Sequence, residues 1–291
     1  MAIFQLQNKE LSLTVNSFGA ELCSVIANQT QIEYIWQADK MVWARHAPHL
    51  FPIVGKLKDG TFMHQSQSYQ LPQHGFARDL EFTCIEQNED QLVFELNDSE
   101  ETLGHYPFQF KLQIKYTLSG NTVTTHYAVS NPNNKELYFS IGAHPAFNCP
   151  LESHESFEDY GLVFPGKNEL TINVLNDGLI TNSKKSIHLQ SNRLTVSKTL
   201  FQNDALVFQN SQIQTVQLIS KNTHHGVELK CIDWPYFGIW TKKETDQFVC
   251  LEPWYGIADS DTTDGSFVSK TGIISLPAHQ MFNCFFDSSF F

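Results

Sequence analysis

Arginine is almost missing from this chain: Arg45, Arg78 and Arg193 are the only three in 291 residues. Basic side chains number 19 against 31 acidic ones, a formal net charge of −12. A surface of that sign cannot displace the counterions of a phosphate backbone, which excludes nucleic acid as a partner. Charged residues of all kinds reach only 17%, a balance that disfavours charged, solvent-facing helices. Cysteine pairing is missing as well. Cys23, Cys84, Cys149, Cys231, Cys250 and Cys284 stand singly with no CxxC and read as reduced thiols of a cytosolic protein. The first residues lack the basic start and long apolar core of a signal peptide, and no apolar run approaches the roughly 20 residues needed to span a bilayer. A soluble, cytoplasmic protein with no membrane partner is expected.

Cofactor signatures are equally scarce. Neither GxxxxGK[ST] nor GxGxxG occurs, and no GxSxG elbow suggests a serine hydrolase. Histidines are plentiful, but HExxH is absent; His46 and His49 lie three apart and His224 adjoins His225, without a matching acid downstream. No metal site is expected from these spacings.

What the chain does have is phenylalanine, 23 of them, within an aromatic content of 13%. It also has period-2 alternation, the mark of half-buried strands. Leu11, Leu13 and Val15 alternate with Ser12 and Thr14; Phe108, Phe110, Leu112, Ile114, Tyr116 and Leu118 alternate with polar residues. A three-residue turn, Ser119-Gly120-Asn121, returns the chain through Val123, Thr125, Tyr127 and Val129, which predicts an antiparallel hairpin over residues 108–130. Further strands are expected over 92–96, 215–220, 226–232 and 247–252. The one clear helix start, Asp98-Ser99-Glu100-Glu101, is stopped early by Gly104 and Pro107. No linker or repeat interrupts the pattern. The expected fold class is therefore all-β, one large antiparallel β-sandwich over residues 1–291.

Four segments could carry chemistry. In the apolar run around Gly142-Ala143-His144-Pro145, burial disfavours the charged imidazole and draws its pKa towards or below neutrality, while Pro145 holds His144 in extended backbone. Glu252 ends an apolar strand beside Pro253 and Trp254, where lost hydration makes a carboxylate a better proton acceptor; Trp254 offers a flat face for a sugar ring. His74 and Arg78 flank Gly75, whose missing side chain lets a ligand approach the backbone, and the guanidinium provides a planar fork for oxygens. Asp233, next to Trp234 and Pro235, suits paired hydroxyls. Taken alone, each of these residues would also serve as a packed histidine, a solvated arginine or a strand-end acid.

Together and in this order, Phe51-Pro52-Ile53-Val54-Gly55-Lys56, His74-Gly75-Phe76-Ala77-Arg78, Gly142-Ala143-His144-Pro145 and Leu251-Glu252-Pro253-Trp254 resemble the aldose 1-epimerase (galactose mutarotase) family, and most closely its LacX-like branch. The resemblance runs from about residue 11 to the last strand. It implies a large β-sandwich with the sugar site on its concave face and an enzyme that interconverts the anomers of an aldohexose with no cofactor and no metal. His144 matches the general acid, Glu252 the general base, and His74 a histidine that hydrogen-bonds the sugar near its ring oxygen. His144 and Glu252 are expected to face one another across a sugar-sized gap. Where many members carry arginine this chain has Lys56, a point donor rather than a fork; Asp233 is the candidate for the sugar-binding aspartate. Arg78 resembles an arginine that holds phosphate in the sugar-phosphate mutarotases. With Lys56, Lys58 and Arg45 near in sequence, a hexose 6-phosphate is the alternative substrate. A non-catalytic sugar-binding protein is the alternative function, and the chain is expected to act as a monomer or homodimer.

Overall fold

The computed structural model of the protein describes residues 1–291. Strands make up 49% of the chain and helices 7%, as the alternation requires. Two large antiparallel sheets dominate. One has nine strands, with Met281–Phe290, Thr122–Ser130 and Lys111–Ser119 side by side near its centre. The other has eight, with Phe248–Tyr255 between Tyr236–Trp240 and the two short strands Ile141–Ala143 and Ala146–Asn148. A cluster of 63 buried apolar residues, contiguous from Leu6 to Phe290, forms the core. No helix is long and apolar enough to cross a membrane.

The predicted hairpin exists with two adjustments. Its first strand begins at Lys111 rather than Phe108. Ser119 pairs with Thr122, so the turn holds two residues, Gly120 and Asn121. Gly120 has φ +56°, the left-handed conformation that a glycine-first hairpin turn demands and that matches the strand twist. The short helix covers Glu100–His105, capped by Ser99 and closed by Thr102, whose hydroxyl accepts from the Ser99 N–H. The acid pair thus lies in the first turn instead of closing the box. All six cysteines are free.

Alternation along Phe248–Tyr255 decides where chemistry can sit. Val249 and Leu251 point into the main core. Cys250 and Trp254 face the other side, where each joins a small separate apolar cluster, and Glu252 lies between them in sequence on that same face. The strand is buried on both faces along most of its length, so its polar residue is placed at a hydration cost.

Candidate active site

A cavity of about 610 Å³ opens on this outer face of the eight-stranded sheet. It is lined by Lys56, His74, Arg78, His144, Glu252 and Trp254, residues that in sequence span almost 200 positions, and also by Trp43, Arg45, Asp177, Asp204, Trp240 and Lys242. Strand register brings the central pair together. Gly142 lies opposite Trp254 and Ala146 opposite Cys250, which sets the intervening His144 level with Glu252. Trp254 needs this arrangement too: a Cβ on Gly142 or on Gly238 would come within 2.7 or 2.4 Å of its indole, so glycine on both flanking strands lets the ring lie flat across them.

His144 Nε2 and Glu252 Oε2 are 3.3 Å apart. The expected sugar-sized gap between them is therefore absent; they touch, because their strands are hydrogen-bonded neighbours. The His144 ring is boxed in by Trp43, stacked at 5.1 Å, by Trp240 at 5.5 Å, and by His74, perpendicular at 5.5 Å. Burial holds the His144 imidazole down at about 3, with the guanidinium groups of Arg78 and Arg45 acting in the same direction. Burial also raises the Glu252 carboxyl well above its usual range, and the charge of Asp204 adds to it. Burial thus favours the protonated carboxyl beside the neutral imidazole, the pairing that carries no net charge.

His74 sits in a turn with φ +69°, followed by Gly75 at +73°. Only glycine fits at 75, since a Cβ there would lie 2.2 Å from the Phe51 carbonyl oxygen. The turn is pinned on both sides: the His74 N–H donates to the Gly55 carbonyl at 2.9 Å and the Gly55 N–H donates to His74 Nδ1 at 3.1 Å. Burial, reinforced by His144 and Arg78, keeps the ring neutral. With Nδ1 accepting, its proton is assigned to Nε2, which lies 3.3 Å from the Gln73 side-chain amide at the cavity.

Eight buried side-chain N or O atoms in the chain lack a hydrogen-bond partner, and four of them belong to residues lining this cavity: Arg78 Nε, His144 Nδ1, Glu252 Oε2 and Trp254 Nε1. Such groups cost about 1–3 kcal/mol each when left unpaired. Their concentration in one place marks a site shaped for a polar ligand.

Charge is arranged at the rim. Asp79 meets Arg45 at 2.9 Å and lies 3.7 Å from Arg78; Arg78 also donates to the Gln73 carbonyl at 2.6 Å. Lys56 donates to Asp177 at 2.7 Å and Lys242 to the Val42 carbonyl. The four cations lining the cavity, Arg45, Lys56, Arg78 and Lys242, thus meet Asp177 and Asp204 in its lining and Asp79 at the rim, and three of the four are held by these acids. One wall is tied to a single buried ion pair. Lys270 donates to Asp259 Oδ1 at 2.9 Å and to the Ile257 carbonyl at 2.6 Å, and the two side chains are 2% and 4% exposed. Asp259 in turn accepts from the Lys58 N–H at 3.0 Å, its N–H reaches the Lys56 carbonyl at 2.9 Å, and its carbonyl accepts from the Ile180 N–H at 2.8 Å.

Asp233 is not part of this site. It occupies an exposed turn with φ +62°, its N–H held by Gln214 at 2.9 Å, and does not line the cavity. The neighbouring Trp234 is buried in the main core with its indole N–H on the Phe285 carbonyl at 2.8 Å, which draws the turn away from the cavity. The acids that do line it, Asp177 and Asp204, lie in turns and carry no periodic signal. Trp43 was equally hidden, since nothing near it in sequence points to His144.

This architecture is a galactose mutarotase-like β-sandwich with a buried carboxyl and imidazole at the floor of its cavity. The sequence profile of the aldose 1-epimerase family matches residues 2–266, and the chain belongs to that family, the isomerases of sugar anomers. It is 33% identical to the chromosomal protein LacX of Lactococcus lactis subsp. lactis over 265 residues, 88% of each chain. A galactose mutarotase related enzyme from Lactobacillus acidophilus matches with TM-score 0.96 at 32% identity, covering 100% of this chain and 97% of that one. A galactose mutarotase-like protein from Lactobacillus casei ATCC 334 matches over the whole of both chains with TM-score 0.91 at 28% identity.

Proposed function

We propose that the protein interconverts the α and β anomers of an aldohexose without a cofactor, with Glu252 and His144 as its proton-transfer pair and His74 as a donor to the sugar. The observation that carries this reading is the direct contact of the Glu252 carboxyl and the His144 imidazole at the floor of a cavity with unfilled hydrogen-bonding groups.

The anomeric hydroxyl and the ring oxygen of a hexose hang on the same carbon, so two neighbouring groups reach both oxygens at once. A proton moving across the 3.3 Å contact gives the alternative form, carboxylate and imidazolium. From there Glu252 takes the proton of the anomeric hydroxyl, His144 delivers its proton to the ring oxygen, and the bond from the anomeric carbon to that oxygen breaks. The products are the open-chain aldehyde, a protonated Glu252 and a neutral His144, the pairing that burial favours. After rotation about the first carbon–carbon bond the ring oxygen attacks the other face of the aldehyde. His144 recovers its proton and Glu252 returns its own to the new anomeric hydroxyl. The pair ends each cycle with the protons it began with, and nothing is oxidised.

Polarimetry of freshly dissolved α-galactose and α-glucose tests the reading. Faster relaxation with the protein is expected, and no acceleration with any hexose or hexose 6-phosphate would leave a sugar-binding protein instead. The four cations at the rim favour a second substrate form, the 6-phosphate. A higher kcat/KM for the phosphorylated sugar, reduced by Arg78→Gln, is the expected sign of it.

A further inference from the structure

Cys250 has no part in the proton transfers above, yet its thiol lies beside the pair that performs them. Cys250 and Glu252 are two apart on one strand and so share a face, and Ala146 pairs with Cys250 across the ladder, which puts His144 next to both. One donor atom from each of His144, Cys250 and Glu252 lies within 4.8 Å of the other two. We propose that these three residues form a binding site for a thiophilic divalent cation, zinc in particular, and that the bound ion shuts off the sugar site. The inhibitory part rests on the function proposed above; the binding part does not.

Ligand chemistry favours this ion. Sulfur, nitrogen and carboxylate oxygen from three protein residues, with one position left open, is a set zinc accepts. Water can fill the open position. Charge balances: a divalent cation, a thiolate, a carboxylate and a neutral imidazole sum to zero, so the filled site adds no net charge to a buried floor. Glu252 Oε2, a buried oxygen without a hydrogen-bond partner, gains one. Coordination sends the thiol proton and the proton of the Glu252–His144 pair to solvent. It thereby removes both the acid and the base from use.

One other group in the chain brings three such donors together, Glu21, Cys23 and His46. There one carboxylate oxygen already accepts the N–H groups of His46 and Ala47, at 2.9 and 3.1 Å, and no buried atom is left unpartnered. It serves as the control.

The test uses the whole chain, free of any purification tag, titrated with cobalt(II) and read by its near-ultraviolet thiolate-to-cobalt absorption. The band is expected in the unmodified protein and in Cys23→Ser, and is expected to vanish in Cys250→Ser and in Cys250→Ala, whose folding is checked by thermal melts. Zinc is expected to inhibit mutarotation competitively with sugar, and Cys250→Ser to weaken that inhibition roughly tenfold or more while keeping the uninhibited rate. A band that survives loss of Cys250, or one lost with Cys23 instead, overturns the site. Equal zinc inhibition of the Cys250 variants overturns the blockade. If the protein accelerates no sugar, the proposed function falls while the cobalt band still decides the site.

Discussion

Two buried histidines sit almost back to back in this molecule and could hardly be treated more differently. His49 pairs in register with Ala143, the residue before His144. Its two ring nitrogens are both engaged, Nδ1 with the Tyr127 hydroxyl at 2.7 Å and Nε2 with the Tyr116 hydroxyl at 2.7 Å, and the Ala20 carbonyl is 3.2 Å away. His144 has one polar neighbour, Glu252, and a second nitrogen with none. Burial depresses both rings, His49 to about 4 and His144 to about 3. Titration behaviour therefore does not separate a structural histidine from a chemical one; satisfaction of the hydrogen bonds does. A core spends its polar groups on each other, while a site leaves some of them for the ligand.

The contrast can be broken most forcefully at Glu252. Glu252→Gln keeps the shape and loses the proton traffic, so kcat is expected to fall about 10²–10⁴-fold with sugar binding retained, as read by polarimetry and calorimetry. A variant with near-normal turnover would remove Glu252 from the chemistry. Acid should then act on His49 and His144 alike. Their folded pKa values, and that of His74, are depressed, so below about 6.5 the unfolded chain takes up protons that the native state refuses, and stability falls with pH. Glu252, raised, acts in the opposite sense between its unfolded and folded values. His64 and His126, also lowered, act with these three, and His46, raised, acts with Glu252; the depressed histidines outnumber the raised groups, so a net loss of stability is expected from pH 6.5 to 5, checked by urea unfolding, and rising stability over that range would contradict the neutral histidines.

His49→Phe sharpens the comparison from the other side. It strands the Tyr127 hydroxyl and is expected to cost about 1–3 kcal/mol of stability while the folded protein keeps its turnover, the reverse of the Glu252 result. The smallest effect belongs to the rim. Asp177 is 86% exposed in its side chain, so Lys56→Ala should change the melting free energy by less than about 1 kcal/mol, leaving any larger change in KM attributable to the sugar.

The strands were the legible part of the fold. Alternation found the strands within 11–15 and 108–130, though the second starts at Lys111, because one face of each is wet or differently packed, and period 2 records that directly. It could not tell which sheet a strand joins, since Val249 and Cys250 are equally apolar letters and only the register separates the main core from the outer face. At the site, the residues close in sequence to a glycine or proline were visible: His74, Arg78, Lys56, His144, Glu252 and Trp254. Asp204 was not, because it precedes the strand Leu206–Gln209 in an ordinary polar turn. Asp233 attracted attention through its aromatic neighbours, and those neighbours were core.

The buried Asp259–Lys270 pair has a consequence for how this cavity can vary over time. Through Asp259 it joins the backbone at Lys56, Lys58 and Ile180, and through Lys270 the backbone at Ile257, so three stretches of chain far apart in sequence share one anchor. A length change in any of them would be felt by the other two. New substrate preferences on this wall are thus to be sought in exchanged side chains, with the loops themselves inherited as a set.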